Sequence, residues 1–235
     1  LKHAVMPGNL FEDIGLNYIG PIDGHDIPLL VKTLKRMLEK QEPYLLHVIT
    51  KKGAGFEPAE AERIKYHAIS KIEPTPKPSS PKFQDIFSDW LCHQAAKDEK
   101  LIGITPAMKE GSGMVEFEKK FPDRFFNAGV AEQNMAGLAS GLALKGFHVF
   151  IYSIANFPTF RCAEQLRNDI GYHNLNVTVV SVGGGLSYGN LGYSHHAVQD
   201  LGLIRLFPEF KIASPGDPLE TEMCLNFILD NPGPA

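Results

Sequence analysis

Helix and strand signals alternate along most of the chain, and this alternation limits the possible fold more than any other feature. Some segments carry apolar residues at helical spacing, whereas others are short apolar runs bounded by turn residues. Such alternation predicts an α/β fold, in which a parallel sheet carries helices on both faces. The predicted helices are 27–40, 83–97, 114–120, 132–144, 159–171, 198–206 and 217–229, and the predicted strands are 44–50, 101–105, 125–127, 148–152, 177–182 and 210–213.

A proline-rich segment separates two unequal pieces of the chain. Residues 71–82 contain four prolines. Because proline lacks a backbone donor and favours an extended residue before it, this segment is predicted to be a stiff linker. The first piece, 1–70, offers one helix and one strand, which is too little for a domain, so it is predicted to be the end of a larger one. The second piece, 83–235, carries most of the alternating pattern.

Composition narrows the classes of function. The chain has 235 residues, 43% of them hydrophobic, which is enough for substantial buried cores. Its net charge is -4 and it has no long basic tract, which argues against a nucleic-acid partner. No apolar run reaches the roughly 18 residues that a membrane-spanning helix needs. The three cysteines lack metal-ligand spacing, a pattern typical of core thiols in a reducing compartment such as the cytoplasm.

One carboxylate stands at the start of an apolar helix. Glu132 precedes Met135, Leu138, Leu142 and Ala143, which share one helical face. Burying an unpaired charge is costly, so this carboxylate needs a partner. Two interpretations are open: an acidic residue favoured by the helix dipole, or a carboxyl group held in a dry pocket to bond a heterocyclic nitrogen. Ligands of parallel sheets bind beyond the carboxyl ends of the strands, and Glu132 follows such an end.

Three loops carry further candidates. His25 lies ahead of a helix, where it can bond an anionic ligand or be an exposed turn residue. Lys52 follows a buried strand, and it is either a phosphate-binding lysine or one of a solvated pair. The glycine-rich loop 183–190 matches neither nucleotide-binding fingerprint. It leads to His195 and His196, whose adjacent side chains point different ways; this disfavours a metal pair and favours a substrate-facing His195.

Five longer segments are informative together: 17–26, 50–60, 66–68, 104–114 and 121–126. In this order they resemble 1-deoxy-D-xylulose-5-phosphate synthases, which are transketolase-like thiamine diphosphate enzymes. The likeness is close over roughly residues 5–135. Farther along, 161–165 and 192–196 look more like the pyrimidine-binding part of transketolases.

The resemblance implies an incomplete thiamine diphosphate-binding fold. Residues 1–70 would be the C-terminal end of the diphosphate-binding domain, and 83–235 the pyrimidine-binding domain with its last strand truncated. The implied cofactors are thiamine diphosphate and Mg²⁺, with the magnesium ligands outside this segment of chain. The implied reaction joins pyruvate and glyceraldehyde 3-phosphate with loss of CO₂, toward isoprenoid precursors, thiamine and pyridoxal. The complete protein is expected to be a cytoplasmic homodimer.

The resemblance also implies roles for single residues. Glu132 matches the glutamate that bonds N1′ of the cofactor's aminopyrimidine, and Phe157 matches the aromatic residue that stacks on that ring. His25 and His195 match catalytic histidines that bond substrate oxygens and relay protons. The other residues expected to bind the cofactor are Lys52, Ser112 and Met114.

Two positions depart from the synthase pattern. Gly184 stands where the family has an arginine expected to hold the acceptor's phosphate, and Leu191 stands where it has an aspartate. The identity of the aldehyde acceptor is therefore open. Two other functions also remain: a transketolase-type transfer of a two-carbon ketol unit, and a non-catalytic subunit that completes another chain's site.

Overall fold

The computed structural model describes residues 9–63, 66, 67 and 81–235. The chain divides into two compact units, Leu1–Lys77 and Pro78–Ala235. Of the predicted linker 71–82, only Pro81 and Lys82 fall within the described residues.

The first unit contains two parallel strands joined by a helix. Asp26 caps that helix, because its Oδ1 accepts a 3.0 Å hydrogen bond from the backbone N–H of Leu29. The elements of this unit are α1 Asn9–Asp13, β1 Asn17–Asp23, α2 Ile27–Lys40, β2 Tyr44–Ile49 and α3 Glu57–Ala61.

Strand β1 corrects the sequence prediction, which treated this stretch as a loop. It pairs in parallel with β2 from Asn17 opposite Tyr44 to Asp23 opposite Ile49. The strand contains Pro21, and its register shifts between Ile19 and Ile22. A proline within a run argues against a strand, so the sequence pattern concealed this one.

The second unit is a four-stranded parallel sheet in the order β4-β3-β5-β6, with helices on both faces. The predicted α/β class is confirmed. A π-helical turn at Leu166–Gly171 follows α8. The elements are α4 Phe83–Ala95, β3 Leu101–Thr105, α5 Val115–Lys120, β4 Phe125–Asn127, α6 Glu132–Leu144, β5 His148–Ile154, α7 Asn156–Phe160, α8 Ala163–Gln165, β6 Val177–Val182, α9 Asp200–Ile204 and α10 Pro218–Asp230.

Two cores lie on opposite faces of this sheet. Side chains alternate along a strand, so Ile151 joins the first core while its neighbours Phe150 and Tyr152 join the second. Helix α6 contributes Met135 and its alanines to the first core, and α4 contributes Trp90 to the second. With both faces covered, the strand ends and the loops beyond them are left for a ligand.

Three predictions in this unit need correction. The single helix expected over 159–171 begins three residues earlier and is broken, with Arg161 and Cys162 between α7 and α8. The strand expected at 210–213 belongs to no described sheet; instead, Phe210 packs into the first core and the N–H of Lys211 donates to Pro234 O. Helix 198–206 is shortened to α9. In these segments the apolar pattern indicates which side chains are buried, but it does not determine whether the backbone is a helix, a strand or a loop.

Among the described residues, none of the helices is both long enough and apolar enough to cross a membrane.

Candidate active site

The carboxyl ends of β3 and β4 are tied together by one side chain. Oδ1 of Asn127, the last residue of β4, accepts hydrogen bonds from the backbone N–H of Ala107 at 3.0 Å and of Gly129 at 3.1 Å. These bonds join the loops that follow the two strands. Helix α6 starts directly after them, so its first residue, Glu132, is placed at this edge of the sheet.

The Glu132 side chain is only 7% exposed, and its partner is a cation. Its Oε1 accepts a 2.7 Å hydrogen bond from Nη1 of Arg161, which is 44% exposed. Glu132 therefore stands in the first turn of the helix, as the capping interpretation expects, but its carboxylate is directed to a side chain. The surroundings also differ from the dry apolar pocket of the second interpretation, because a guanidinium shares them.

Phe157 lies beneath the same guanidinium. The Cζ atom of Arg161 is 4.1 Å from the centre of the Phe157 ring, a cation–π geometry. Phe157 belongs to α7, and Arg161 follows the end of that helix, so the two residues lie one turn apart. One arginine thus connects Glu132 to Phe157.

The loop after β6 brings His195 against Phe157. Gly185 and Ala197 exchange two backbone hydrogen bonds of 2.9 Å, which close the loop on itself. The His195 ring centre then lies 5.2 Å from that of Phe157, with the rings nearly perpendicular. His195 Nδ1 is 3.0 Å from Oγ of Ser194, whose carbonyl accepts from Asn156 at 2.7 Å.

The structure therefore brings together Glu132, Phe157 and His195, three of the residues expected from sequence. Adjacent His196 makes a different contact, with Gly189 O at 3.1 Å, as expected for neighbouring histidines that point different ways. Sequence reasoning missed Arg161 as a member of the site. The available signal was its spacing of four residues from Phe157. The sequence pattern predicted one continuous helix over 159–171, so it gave no indication of the break next to Arg161.

Cys162, next to Arg161, is not a candidate nucleophile. It is fully buried. Burial, together with the nearby Glu132 carboxylate, raises the pKa of the Cys162 thiol to about 12. The reactive form of cysteine is the thiolate, so this sulfur is inert at neutral pH.

Ser112 and Met114 take structural positions. Both are fully buried. Ser112 Oγ donates to Lys109 O at 3.0 Å and accepts from the N–H of Met114 at 3.3 Å, which shapes the turn before α5. Met114 packs in the second core, on the sheet face opposite α6. The cofactor contact expected of these two residues stays a prediction.

In the first unit, His25 lies where the carboxyl ends of β1 and β2 meet. Its Nε2 accepts a 2.7 Å hydrogen bond from the backbone N–H of Lys51, so the proton of the neutral ring is on Nδ1. Gly24 makes this approach possible, because a Cβ atom there would lie 2.5 Å from Val48 Cγ1. Asp23, His25 and Lys51 help to line an open depression of about 420 Å³.

The two lysines of this unit have separate partners. Lys51 forms an ion pair with Glu60, and Lys52 Nζ contacts His67 Nδ1. Both lysines are exposed. Lys52 therefore presents a cation at the surface of the first unit, and its expected role near phosphates stays a prediction.

The polar and aromatic groups of this site in the second unit fit the pyrimidine end of a thiamine cofactor. A nearly buried carboxylate can accept from a ring N–H, the face of Phe157 can stack on a flat ring, and the His195 edge lies beside it. Among the described residues, no group of three or more His, Cys, Asp or Glu side chains could hold a metal ion. Fold and site together define an α/β domain with a nearly buried carboxylate and an aromatic face at the carboxyl edge of its sheet, a combination suited to one end of a heterocyclic cofactor.

Comparison with known families agrees with this class. Residues 79–235 match the model of the transketolase pyrimidine-binding domain, and residues 1–50 match that of 1-deoxy-D-xylulose-5-phosphate synthase. The chain belongs to the transketolase pyrimidine-binding family.

The similar curated proteins are 1-deoxy-D-xylulose-5-phosphate synthases. That of Cellvibrio japonicus is 45% identical over 243 residues, covering 100% of this chain and 38% of the relative. That of Citrobacter koseri is 45% identical over 233 residues, covering 96% and 37%. The likeness extends through the whole chain, beyond the expected 5–135. The chain spans less than two-fifths of the length of these relatives.

Solved transketolases share the fold. One of them is a split-gene transketolase, described as an "inactive beta4 tetramer". It superimposes with a TM-score of 0.59 at 29% identity, covering 66% of this chain and 50% of that one. A transketolase from Pichia stipitis gives a TM-score of 0.59 at 17% identity, covering 68% and 25%, and shows the fold alone.

Proposed function

We propose that the complete protein is a thiamine diphosphate-dependent transferase that forms 1-deoxy-D-xylulose 5-phosphate. Its substrates would be pyruvate and glyceraldehyde 3-phosphate, with CO₂ as the second product. The single observation that carries the proposal is the nearly buried Glu132 carboxylate, connected through Arg161 to the Phe157 ring at the carboxyl edge of a parallel sheet. The names of relatives that are 45% identical throughout the chain support the particular reaction.

Thiamine diphosphate supplies carbanion chemistry when bound. The protein's residues would position the cofactor and the substrate and would transfer protons. Glu132 would bond N1′ of the aminopyrimidine, with Phe157 as its stacking surface. His195 has Nδ1 beside Ser194 Oγ, which orients the ring so that Nε2 can exchange a proton with a substrate oxygen. His25, with Nε2 occupied by the Lys51 N–H, would act through Nδ1.

The remaining assignments belong to the same proposal. Lys52 would lie near the phosphates, and Ser112 and Met114 would support the cofactor from their buried turn. Mg²⁺ would be held by residues outside this segment. Residues 1–70 would end the diphosphate-binding domain, 71–82 would be the linker, and 83–235 would be the pyrimidine-binding domain. The complete protein would be a cytoplasmic homodimer, and its product would serve isoprenoid and thiamine biosynthesis.

Replacing the carboxylate tests the central assignment. In the complete protein, Glu132→Gln keeps the side-chain size but removes the acid, and we expect product formation to fall by about 100-fold or more. Glu164→Gln is the matched control, because Glu164 is an exposed carboxylate in the same unit of the chain. Product and CO₂ are measured together. Activity of Glu132→Gln within tenfold of wild type would reject the role of Glu132.

One observation favours transketolase-type ketol transfer as a second candidate. The loop 183–199 contains no Lys, Arg, Asp or Glu, and Gly184 and Leu191 replace the charged residues of the synthases. A phosphorylated acceptor would find no cation in this loop. Release of CO₂ from pyruvate distinguishes the synthase from ketol transfer, and activity that appears only after a second chain is added would indicate a partner subunit.

A further inference from the structure

Within the part of the chain that the structure describes, Arg161 contacts two surfaces that the proposed function gives to the cofactor. Its Nη1 donates to Oε1 of Glu132 at 2.7 Å, and its Cζ lies 4.1 Å from the centre of the Phe157 ring. The carboxylate is the acceptor proposed for the pyrimidine, and the ring is the surface proposed for stacking. One side chain therefore uses both parts of the pyrimidine site.

The guanidinium is chemically suited to this position. It is planar and delocalised, it stacks on aromatic faces, and its N–H donors lie in the plane of the group. An aminopyrimidine has the same features: a flat π-system with N–H groups at its edge. A surface that accepts one therefore accepts the other.

We propose that Arg161 occupies the pyrimidine position of the cofactor-free protein and that the cofactor must displace it. The inference rests on the proposed function and adds a residue that competes with the cofactor. Glu132, only 7% exposed, keeps a donor in both states, so the nearly buried charge is not left unpaired.

The position of Arg161 permits this exchange. It follows the last residue of α7, before α8 begins, and its side chain is 44% exposed. It can turn toward solvent without disturbing either helix, and its charge is readily hydrated there. Only the arginine end of the ion pair is half-exposed, so the guanidinium can leave when an incoming ligand donates to Glu132 in its place.

Competition has a measurable consequence. A protein whose binding-competent state is only partly populated binds its ligand more weakly by that fraction. Removing the guanidinium should therefore strengthen cofactor binding, which is the opposite of what removing a cofactor-holding residue would do.

The test measures thiamine diphosphate binding to the complete protein by calorimetry in saturating Mg²⁺. We expect Arg161→Met, which keeps an unbranched flexible stem but neither the charge nor the planar group, to bind about tenfold more tightly than wild type. Arg167→Met is the control, since Arg167 is exposed and donates to its neighbour Asn168, and it should bind as wild type does. Equal or weaker binding by Arg161→Met overturns the inference.

A second measurement covers the case in which Arg161→Met fails to fold. Crystal structures of the complete wild-type protein with and without cofactor should differ at Arg161, whose guanidinium should leave Phe157 in the loaded state. If it remains on Phe157 and Glu132 beside bound cofactor, the inference is wrong while the proposed function stands. If wild type binds no thiamine diphosphate, both are wrong.

Discussion

His148 shows how the environment of one residue sets its protonation. The side chain is almost fully buried at the start of β5, where Nε2 lies 2.9 Å from Thr178 Oγ1 and the ring stacks on Phe150 at 4.4 Å. Burial disfavours the charged form and lowers the pKa of His148 from 6.5 to about 4. The neutral ring is therefore part of the folded structure at neutral pH.

A pH dependence of stability follows from this residue. Between pH 6.5 and about 4 the unfolded chain binds a proton that the folded chain does not, so stability falls as pH falls through this window. Above pH 6.5 His148 adds no dependence. The shift corresponds to at most about 3 kcal/mol. Urea unfolding of wild type and His148→Gln at pH 7 and pH 4.5 measures it.

The variant should lose less stability than wild type between the two pH values. His93→Gln, at an exposed position on α4, is the control and should follow wild type. An identical loss in wild type and His148→Gln would show that other groups cause the acid sensitivity.

At the scale of elements, the loop after β6 determines where His195 lies. Its backbone turns sharply at Gly183, whose φ is +75°. A Cβ atom on Gly183 would come within 2.1 Å of the Tyr188 ring, so the loop is packed against its own first residue. The conformation and the packing both depend on a residue without a side chain.

Gly183→Ala should therefore destabilise the protein by about 1–3 kcal/mol, the usual range for a side chain at positive φ. Tyr188 can move at its ring end, so the backbone strain is expected to dominate. Gly189→Ala in the same loop is the control: its φ is not positive and its Cβ would meet no atom within 4 Å. Thermal unfolding of the two variants measures the difference. Equal stability would mean that the loop adjusts freely.

The broken helix is a second feature at this scale. α7 ends at Phe160, and α8 begins at Ala163 and passes into a π-helical turn. Such turns are frequent at functional sites. Arg161 keeps helical backbone angles, with φ −68° and ψ −24°, and lies one turn from Phe157; the chain departs from helical geometry directly after it, at Cys162. The irregularity is thus linked to the site.

At the scale of the whole molecule, the expected site residues are shared between two units. His25 and Lys52 belong to the first unit, and Glu132, Phe157 and His195 belong to the second. The chain covers 38% of its Cellvibrio japonicus relative, so the complete protein is the proper object for binding measurements.

Cofactor binding should stabilise the complete protein by mass action. Thiamine diphosphate with Mg²⁺ at about 100 times the dissociation constant adds about 2.7 kcal/mol, which raises the melting temperature by several degrees. Chelation of Mg²⁺ should abolish the increase, because the diphosphate then has no metal to hold it. Differential scanning calorimetry with and without chelator measures this. A melting temperature that is indifferent to cofactor and metal would contradict the proposed cofactor.

Much of the architecture could be predicted from sequence because it depends on neighbouring residues. Helical spacing within 132–144 and continuous apolar runs such as 101–105 and 177–182 are local properties, and the corresponding helix and strands are present. Alternation of such segments implies a parallel sheet, and a parallel sheet implies a site at its carboxyl edge. Glu132, Phe157 and His195 do meet near that edge.

Tertiary structure alone decided what distant residues do together. β1 is a strand because β2 pairs with it, despite Pro21 in its own sequence. Arg161 belongs to the site because the chain brings it to a carboxylate 29 positions away. Local spacing carries no information about such partners, since their energies arise from packing and burial that exist only after the chain has folded.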